Sequence, residues 1–264
     1  MKKLITILTS LFLVLGTGCS SNNSSSTSDD MLAQIKEKGE ITIAMEGTWS
    51  PWTYHNENDE LVGFDVEVGK LIAEGLGVEA VFVEGEWDGL LAGVQAGRYD
   101  ILINGCGVTE ERSEVFSFTD PYVYDQIAII VDEDSDITSF EDLKDKSTAN
   151  TISSTYAEIA EQFGATVTGV DDLNQTLELL KNKRIDATLN SIVTYYDYME
   201  AHPDSTFKVA CVYEEHQPIA IPVKKDDSSK TLVEAINAIL KELNESGKLK
   251  ELSLEYFKVD LTEK

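Results

Sequence analysis

The chain is poor in the residues that build metal sites, disulfide frameworks and cationic surfaces. It has 3 cysteines and 3 histidines in 264 residues, and the cysteine spacing matches neither a metal site nor a disulfide framework. Its 21 lysines and arginines are outnumbered by 48 aspartates and glutamates, which gives a net charge of −27. A protein with this much negative charge repels nucleic acid and anionic lipid, so we expect neither as a partner. We also expect no metal and no cofactor.

A long apolar run occurs only at the amino terminus, and it is too short to span a bilayer comfortably. Two lysines precede the apolar stretch over residues 4–15, which is typical of a secretory signal. Small residues then lead to Cys19, and the polar segment SSNNSSSTSDD follows. We predict a signal peptide over residues 1–18, lipidation of Cys19, and a lipidated flexible tether over residues 19–30.

The lipidation signal departs from its usual form, which has leucine three residues before the cysteine. This chain has Gly16 there, with Leu15 one position earlier. An ordinary secretory cleavage that releases the protein is therefore the alternative. Removing the two lysines of the signal leaves 19 of the 21 basic residues against 48 acidic ones, a net charge of −29. Cys106 and Cys211 then remain. They could pair in an oxidising compartment, but we expect both to be free because they lie far apart in sequence.

From residue 40 onward, short apolar strands alternate with amphipathic helices. A β-branched run over residues 41–45 is followed by a helix that we expect Asp65 to cap. Further strands are predicted at 81–83, 101–103, 127–131, 148–152, 167–170, 185–189 and 219–223, and helices at 90–94, 156–163, 173–180, 192–199 and 232–243. This alternation predicts an α/β protein with open parallel sheets flanked by helices. It restarts after the acidic run 132–134, which indicates two lobes.

One segment places a fixed cation beside a turn of backbone amides. The strand at 101–103 ends in Asn104-Gly105-Cys106-Gly107, and Arg112 follows shortly. A guanidinium is always charged and presents paired donors, so it suits a carboxylate. The alternative is a surface ion pair with Glu111 or Glu114, worth about 0 to 1 kcal/mol.

The order of short motifs around this segment resembles that of the polar amino-acid substrate-binding proteins of ABC importers. The motifs are Leu-Val-Gly-Phe-Asp-Val from Leu61, then Trp-Asp-Gly, Gly-Arg-Tyr-Asp, Thr-Glu-Glu-Arg and Phe-Thr-Asp-Pro-Tyr, which ends at Tyr122. The likeness covers nearly the whole chain after the leader. It implies a periplasmic-binding-protein-like fold of two lobes joined by two crossing strands. The crossing strands would divide the chain into lobe 1, at 31–124 and 218–264, and lobe 2, at 125–217.

The resemblance also implies which residues bind the ligand in a cleft between the lobes. Arg112 matches the arginine that holds the ligand α-carboxylate, Trp49 matches a pocket aromatic, and Glu46 matches an acid near the ligand. From the residues alone, the loop aromatics could equally pack under the sheet, and Ser153, Ser154 and Thr155 could simply cap a helix. The predicted ligand-binding residues are Glu46, Trp49, Trp52, Asn104, Gly105, Gly107, Arg112, Thr155, Tyr156, Asn190 and Ser191.

Two positions depart from the family pattern. Gly107 replaces a serine or threonine whose hydroxyl usually bonds the ligand, and Asn190-Ser191 stands where many relatives have an aspartate for the ligand α-ammonium. Either these residues bind by neutral hydrogen bonds and Glu46 supplies the charge, or the ligand is not an ordinary α-amino acid. We interpret Asp186, in the strand before them, as structural.

The resemblance implies a monomeric surface receptor that captures a polar amino acid, with cystine and a glutamine-like ligand as candidates, and delivers it to ABC permease subunits. We expect an extracytoplasmic, Gram-positive-type lipoprotein that is not an enzyme. A dehydratase-like enzyme on the same fold is one alternative, but His55, His202 and His216 do not fall beside Arg112 in the motif order. A ligand-responsive surface sensor is the other.

Overall fold

The computed structural model describes residues 29–263. The predicted signal peptide, Cys19 and most of the predicted tether lie outside these residues. The helices are α1 Met31–Lys38, α2 Phe64–Leu76, α3 Trp87–Gln95, α4 Glu110–Val115, α5 Thr155–Gln162, α6 Leu173–Lys181, α7 Ile192–Ala201, α8 Lys230–Glu245 and α9 Lys248–Tyr256. Each helix within residues 29–263 is too short or too polar to cross a membrane.

The strands are short and follow the predicted alternation. They are β1 Glu40–Met45, β2 Thr48–Trp49, β3 Thr53–His55, β4 Leu61–Val62, β5 Glu79–Glu84, β6 Ile101–Leu102, β7 Phe116–Phe118, β8 Val123–Asp125, β9 Ile127–Asp132, β10 Ser147–Asn150, β11 Thr166–Gly169, β12 Thr188–Ser191, β13 Phe207–Val212, β14 Gln217–Ile219 and β15 Pro222–Lys224.

The first lobe is built on a five-stranded sheet in the order β5-β1-β6-β15-β7. Strands β5, β1 and β6 run parallel, whereas β15 is antiparallel to both β6 and β7. The predicted all-parallel sheet is therefore wrong, because the chain re-enters this lobe through β15 in the opposite direction. Helices α1, α2, α8 and α9 cover one face, and α3 packs on the other.

The second lobe combines an antiparallel and a parallel strand set. Strands β12, β9 and β13 pair antiparallel, and β10 pairs parallel with β11. A parallel bridge from Thr148 to Ala187 joins the two sets. The apolar residues of β9 alternate between two clusters: Ile129 packs toward α5 and Ile130 toward α6. This lobe is therefore also covered by helices on both faces.

Two strands connect the lobes. Strands β8 and β14 pair antiparallel with each other, with Gln217 opposite Asp125. This confirms two lobes joined by crossing strands, and the chain after β14 returns to the first sheet. The residue boundaries of the lobes stay a prediction. Asp30, assigned to the tether, accepts a hydrogen bond from the Ala33 amide and caps α1.

Several elements differ from the predictions. Helices α1, α4 and α9 and strands β2, β3, β4, β7 and β13 were not predicted, and the extended segment at 219–223 is divided between β14 and β15. Gly63, not Asp65, is the N-cap of α2. Asp65 is fully buried instead, and its carboxylate accepts hydrogen bonds from the Gly105 amide and the Tyr122 hydroxyl. Cys106 and Cys211 are free, as predicted.

Candidate functional site

A cavity lies between the lobes, at the ends of strands from both. Glu46 follows β1 and Asn104 follows β6, whereas Asn150 and Asn190 lie at the ends of β10 and β12. Strand ends of an α/β sheet are where ligands of such folds bind. The cavity is lined by Glu46, Thr48, Trp49, Trp87, Asn104, Gly105, Arg112, Asn150, Thr151, Ser154, Thr155, Tyr156, Asp172, Leu173, Thr176 and Asn190.

Arg112 contacts both lobes. It lies in α4, whose N-cap Thr109 accepts a hydrogen bond from its amide, and it is only 9% exposed. Its Nη1 donates to the Gly107 carbonyl at 2.9 Å, and its Nη2 donates to the Ser153 carbonyl of the second lobe at 2.8 Å. The guanidinium carbon lies 5.1 Å from the centre of the Trp87 ring, within cation–π range. The cation is therefore held in one orientation at the cavity wall.

Ser153 is the point where the rims of the two lobes meet. Its carbonyl accepts from Arg112 and lies 3.5 Å from the Trp87 indole nitrogen, and its hydroxyl donates to the Asp88 carboxylate. Deeper in the cleft, the Trp49 indole donates to Asn190 Oδ1 at 3.2 Å. These bonds run between lobes, so the structure is in a closed conformation.

Aromatic side chains form one wall of the cavity. Trp49 stacks on Trp52 with ring centres 5.4 Å apart and meets the Tyr156 ring edge-on at 6.4 Å. Gly105 has a φ of 53°, and a Cβ at this position would lie 2.6 Å from the Trp49 ring. Only glycine therefore allows both the turn and the close approach of the indole.

Glu46 is held in the cavity by Asn104. The Asn104 amide nitrogen donates to the Glu46 carboxylate at 2.7 Å, and the Asn104 side-chain oxygen accepts from the Glu46 amide at 2.8 Å. Burial raises the pKa of Glu46 to about 7, and the nearby Asp172 and Asp88 charges act in the same direction. A cationic group that entered the cavity would oppose both effects and favour the ionised form.

The loop after β6 offers fewer free amides than predicted. The Gly105 amide donates to Asp65 at 2.6 Å, so it is already used within the fold. The Gly107 carbonyl accepts from Arg112. A Cβ at Gly107 would lie 2.3 Å from the carboxamide of Gln217, so the missing serine or threonine side chain leaves room for this residue of β14.

The structure brings most of the predicted site residues to the cavity wall. The ones that line it are Glu46, Trp49, Asn104, Gly105, Arg112, Thr155, Tyr156 and Asn190. Three others lie behind the wall. Trp52 is fully buried under Trp49, Gly107 is covered by Gln217, and Ser191 is fully buried at the start of α7. Direct ligand contact by any of these residues stays a prediction.

Sequence reasoning missed several wall residues, chiefly Trp87, Asn150, Asp172 and Thr176. Asn150 ends β10, and Asp172 follows β11 and caps α6. A systematic reading of the residues that follow predicted strands would have found Asp172, which comes shortly after the strand predicted at 167–170, but not Asn150, which lies within the strand predicted at 148–152. Asp186 precedes β12 and accepts hydrogen bonds from the amide and hydroxyl of Ser147, which is a structural role.

The histidines lie away from the cavity. His55 contacts Glu84 and Asp59 on the first lobe, and His202 stacks on Tyr198 at the end of α7. His216 is likewise absent from the cavity wall. None of the three histidines therefore lines the cavity between the lobes.

The raised pKa of Glu46 predicts a pH-dependent stability. Its ordinary pKa of 4.5 applies to the unfolded chain, whereas the folded value is about 7. The folded state therefore binds this proton more tightly, and stability falls as pH rises through that interval. Relative to the wild type, Glu46→Gln should gain about 1 to 3 kcal/mol of unfolding free energy between pH 4.5 and pH 8.

Urea unfolding of the ligand-free proteins at several pH values measures this difference. Glu111→Gln removes one exposed carboxylate and is the control for net charge. A constant difference between wild type and Glu46→Gln across the interval would contradict the raised pKa.

Comparison with known proteins agrees with this geometry. A family model for bacterial extracellular solute-binding proteins, family 3, matches residues 41–259. The chain is 34% identical to a probable amino-acid ABC transporter-binding protein of Haemophilus influenzae, over 94% of this chain and 96% of the relative. It is 32% identical to the L-cystine-binding protein TcyA of Bacillus subtilis, over 97% of this chain and 98% of the relative.

A solved structure of similar fold is a mutant of ArgBP from T. maritima. It superposes with a TM-score of 0.79 at 32% sequence identity, over 86% of this chain and 99% of that one. Because the family match spans both sheets and the cavity between them, the chain belongs to the bacterial extracellular solute-binding proteins of family 3.

Proposed function

We propose that this protein captures a polar amino acid in the cavity between its lobes and delivers it unchanged to the permease of an ABC importer. The observation that carries the proposal is the wall of the cavity itself. The wall contains one buried guanidinium, that of Arg112, and two carboxylates, those of Glu46 and Asp172, beside an aromatic surface. A zwitterion matches this arrangement, because its carboxylate and ammonium groups carry opposite charges.

The contacts between the lobes are consistent with a protein that closes on its ligand and opens to release it. Ligand contacts made to both lobes at once stabilise the closed state relative to the open one. Arg112 and Trp49 already bridge the lobes through Ser153 and Asn190. These few bonds are individually weak, so a bound ligand can shift the equilibrium by its own contacts.

The relatives support the class of ligand. Proteins named for amino-acid and L-cystine binding share about a third of their residues with this chain over nearly its whole length. Family membership supports a location outside the cytoplasm. Delivery to ABC permease subunits, attachment through Cys19 and action as a monomer are parts of the same proposal.

A thermal-shift screen of the twenty common amino acids, with cystine and opines added, tests the ligand class. A ligand of the native state raises the apparent melting temperature by mass action, by about 2.7 kcal/mol of stability at a hundredfold excess over Kd. We expect at least one polar amino acid or cystine to raise it. A melting curve that no compound shifts would contradict the proposal.

Arg112→Ala should weaken the binding of every amino acid that shifts the wild type, by at least about tenfold. The reason is loss of the only cationic side chain in the cavity wall that the structure describes. Titration calorimetry gives the affinities, and Arg184→Ala, which removes an exposed arginine, is the control.

Because Arg112 also bonds Gly107 and Ser153, the melting temperature of the free variant is measured alongside. Arg112→Lys keeps the charge but loses the paired donors, and it should also bind more weakly than the wild type. An Arg112→Ala protein that folds and binds with unchanged affinity would remove the guanidinium from the site.

Cys19→Ala should move the protein from the membrane fraction to the soluble fraction, since lipidation of this residue is the proposed anchor. Fractionation of expressing cells, with Cys211→Ala as the matched control, measures the distribution. Equal membrane association of both variants would contradict the anchor and leave the ligand proposal untouched.

A further inference from the structure

One buried acceptor in the cavity wall has no partner within the fold. Asn150 ends β10, is 3% exposed and lines the cavity. Its Nδ2 donates to the Leu189 carbonyl at 2.8 Å, which fixes the orientation of the carboxamide. Its Oδ1 makes no hydrogen bond to any residue at 29–263. A buried acceptor without a hydrogen bond is costly, so it requires an explanation.

A carboxylate lies at the same side of the cavity. Asp172 follows β11, caps α6 through Oδ1 and lines the cavity with Leu173 and Thr176. The remaining oxygen, Oδ2, has only a 3.5 Å contact with the side-chain amide of Gln175. Asp172 Oδ1 thus caps α6. Among the described hydrogen bonds, Oδ2 has no partner closer than 3.5 Å.

The strand arrangement brings Asn150 and Asp172 together. Strands β10 and β11 run parallel, with Asn150 opposite Gly169, and the Val170 amide donates to the Asn150 carbonyl. The loop that carries Asp172 therefore begins beside Asn150. Glu46 approaches from the first lobe, and Asp172 is the first of the charges that raise its pKa.

The neighbouring Asn190 cannot take the same role. Its Oδ1 accepts from the Trp49 indole and from the Ser191 amide, so both lone pairs are used. Ser191 is fully buried beneath it. The Asn190-Ser191 position, where the family pattern has an aspartate, therefore carries no charge, and the Asn190 side-chain oxygen is not a free acceptor.

We propose that Asn150 and Asp172 bind the α-ammonium group of the ligand, with Glu46 supplying a further acceptor from the opposite lobe. The inference rests on the proposed function and deepens it, because it makes the amino group a requirement for tight binding. An ammonium has three donors and no acceptor, and Asn150 Oδ1 and Asp172 Oδ2 are both acceptors. Its charge also offsets the two carboxylates at Glu46 and Asp172.

Pairs of compounds that differ only in their α-amino groups test this assignment; cystine has two such groups, and arginine and glutamine have one each. The probes are L-cystine with dithiodipropionate, L-arginine with guanidinovalerate, and L-glutamine with glutaramate. Titration calorimetry gives the affinity of each compound for the wild type, Asp172→Asn and Asn150→Ala. Asp172→Asn keeps a good helix cap and so preserves α6. Asp171→Asn, one residue away and exposed, removes the same charge outside the cavity and is the matched control.

We expect Asp172→Asn and Asn150→Ala to lower the affinity for each amino acid that binds the wild type by at least about tenfold. The affinity for the deaminated partner should change by less than about threefold, because that compound has no ammonium group to donate to these acceptors. Asp171→Asn should leave both members of each pair at their wild-type affinities. A general loss of folded structure in Asn150→Ala would weaken the binding of both members of a pair equally. The ratio of their two affinities is therefore unaffected by it.

The failures of the two proposals are distinct. Equal weakening of an amino acid and its deaminated partner, or no weakening of either, would overturn the ammonium assignment while the protein remains an amino-acid receptor. A wild type that binds dithiodipropionate, guanidinovalerate or glutaramate as tightly as its amino acid would do the same. A wild type that binds none of the amino acids would overturn the proposed function, and this inference with it.

Discussion

The closed structure depends on one buried cation that is bonded to both lobes. A charged group taken out of water costs several kcal/mol unless partners replace its hydration. Arg112 has such partners in the carbonyls of Gly107 and Ser153 and in the face of Trp87. Two of these partners belong to the first lobe and one to the second, so full satisfaction of the guanidinium requires closure. The cavity wall and the contact between the two lobes are therefore linked through one side chain.

The surroundings of the polar groups on the acidic side of the cavity can be compared in the same way. One oxygen of the Glu46 carboxylate accepts a hydrogen bond from Asn104 within the first lobe, yet burial raises the pKa of Glu46 and favours its neutral form. Asn150 and Asp172 approach from the second lobe with acceptors and few donors nearby. Acceptors thus lie at Asn150 and Asp172, and Arg112 is the one cationic side chain of the cavity wall that the structure describes. The ammonium and carboxylate groups of a zwitterion carry the charges opposite to these.

Much of the fold follows from local pattern, and the exceptions have physical causes. Apolar runs such as Ile41–Met45 predicted strands because a buried strand needs few polar residues. Strand direction is decided by distant pairing, so the antiparallel entry of β15 between β6 and β7 has no local signal. Short helices such as α4 carry too little periodicity to be predicted.

The site was predictable where a motif or a strand end marked it, as at Arg112 and Glu46. It was not predictable which face of each loop meets the cavity. Trp52 lies behind Trp49 because it packs against Phe64 and Phe257, and Gly107 is covered by Gln217 from a crossing strand. Those contacts join segments that are far apart in the chain. Asp172 carried a usable signal, its place shortly after the strand predicted at 167–170, whereas Asn150 lay inside the strand predicted at 148–152 and carried none.

The most direct test of the account is a crystal structure of the protein with an amino acid found by ligand screening. The account predicts a single ligand between the lobes, its carboxylate within hydrogen-bond distance of the Arg112 guanidinium and its ammonium beside Asn150 and Asp172. A ligand bound elsewhere, or a carboxylate placed away from Arg112, would contradict it.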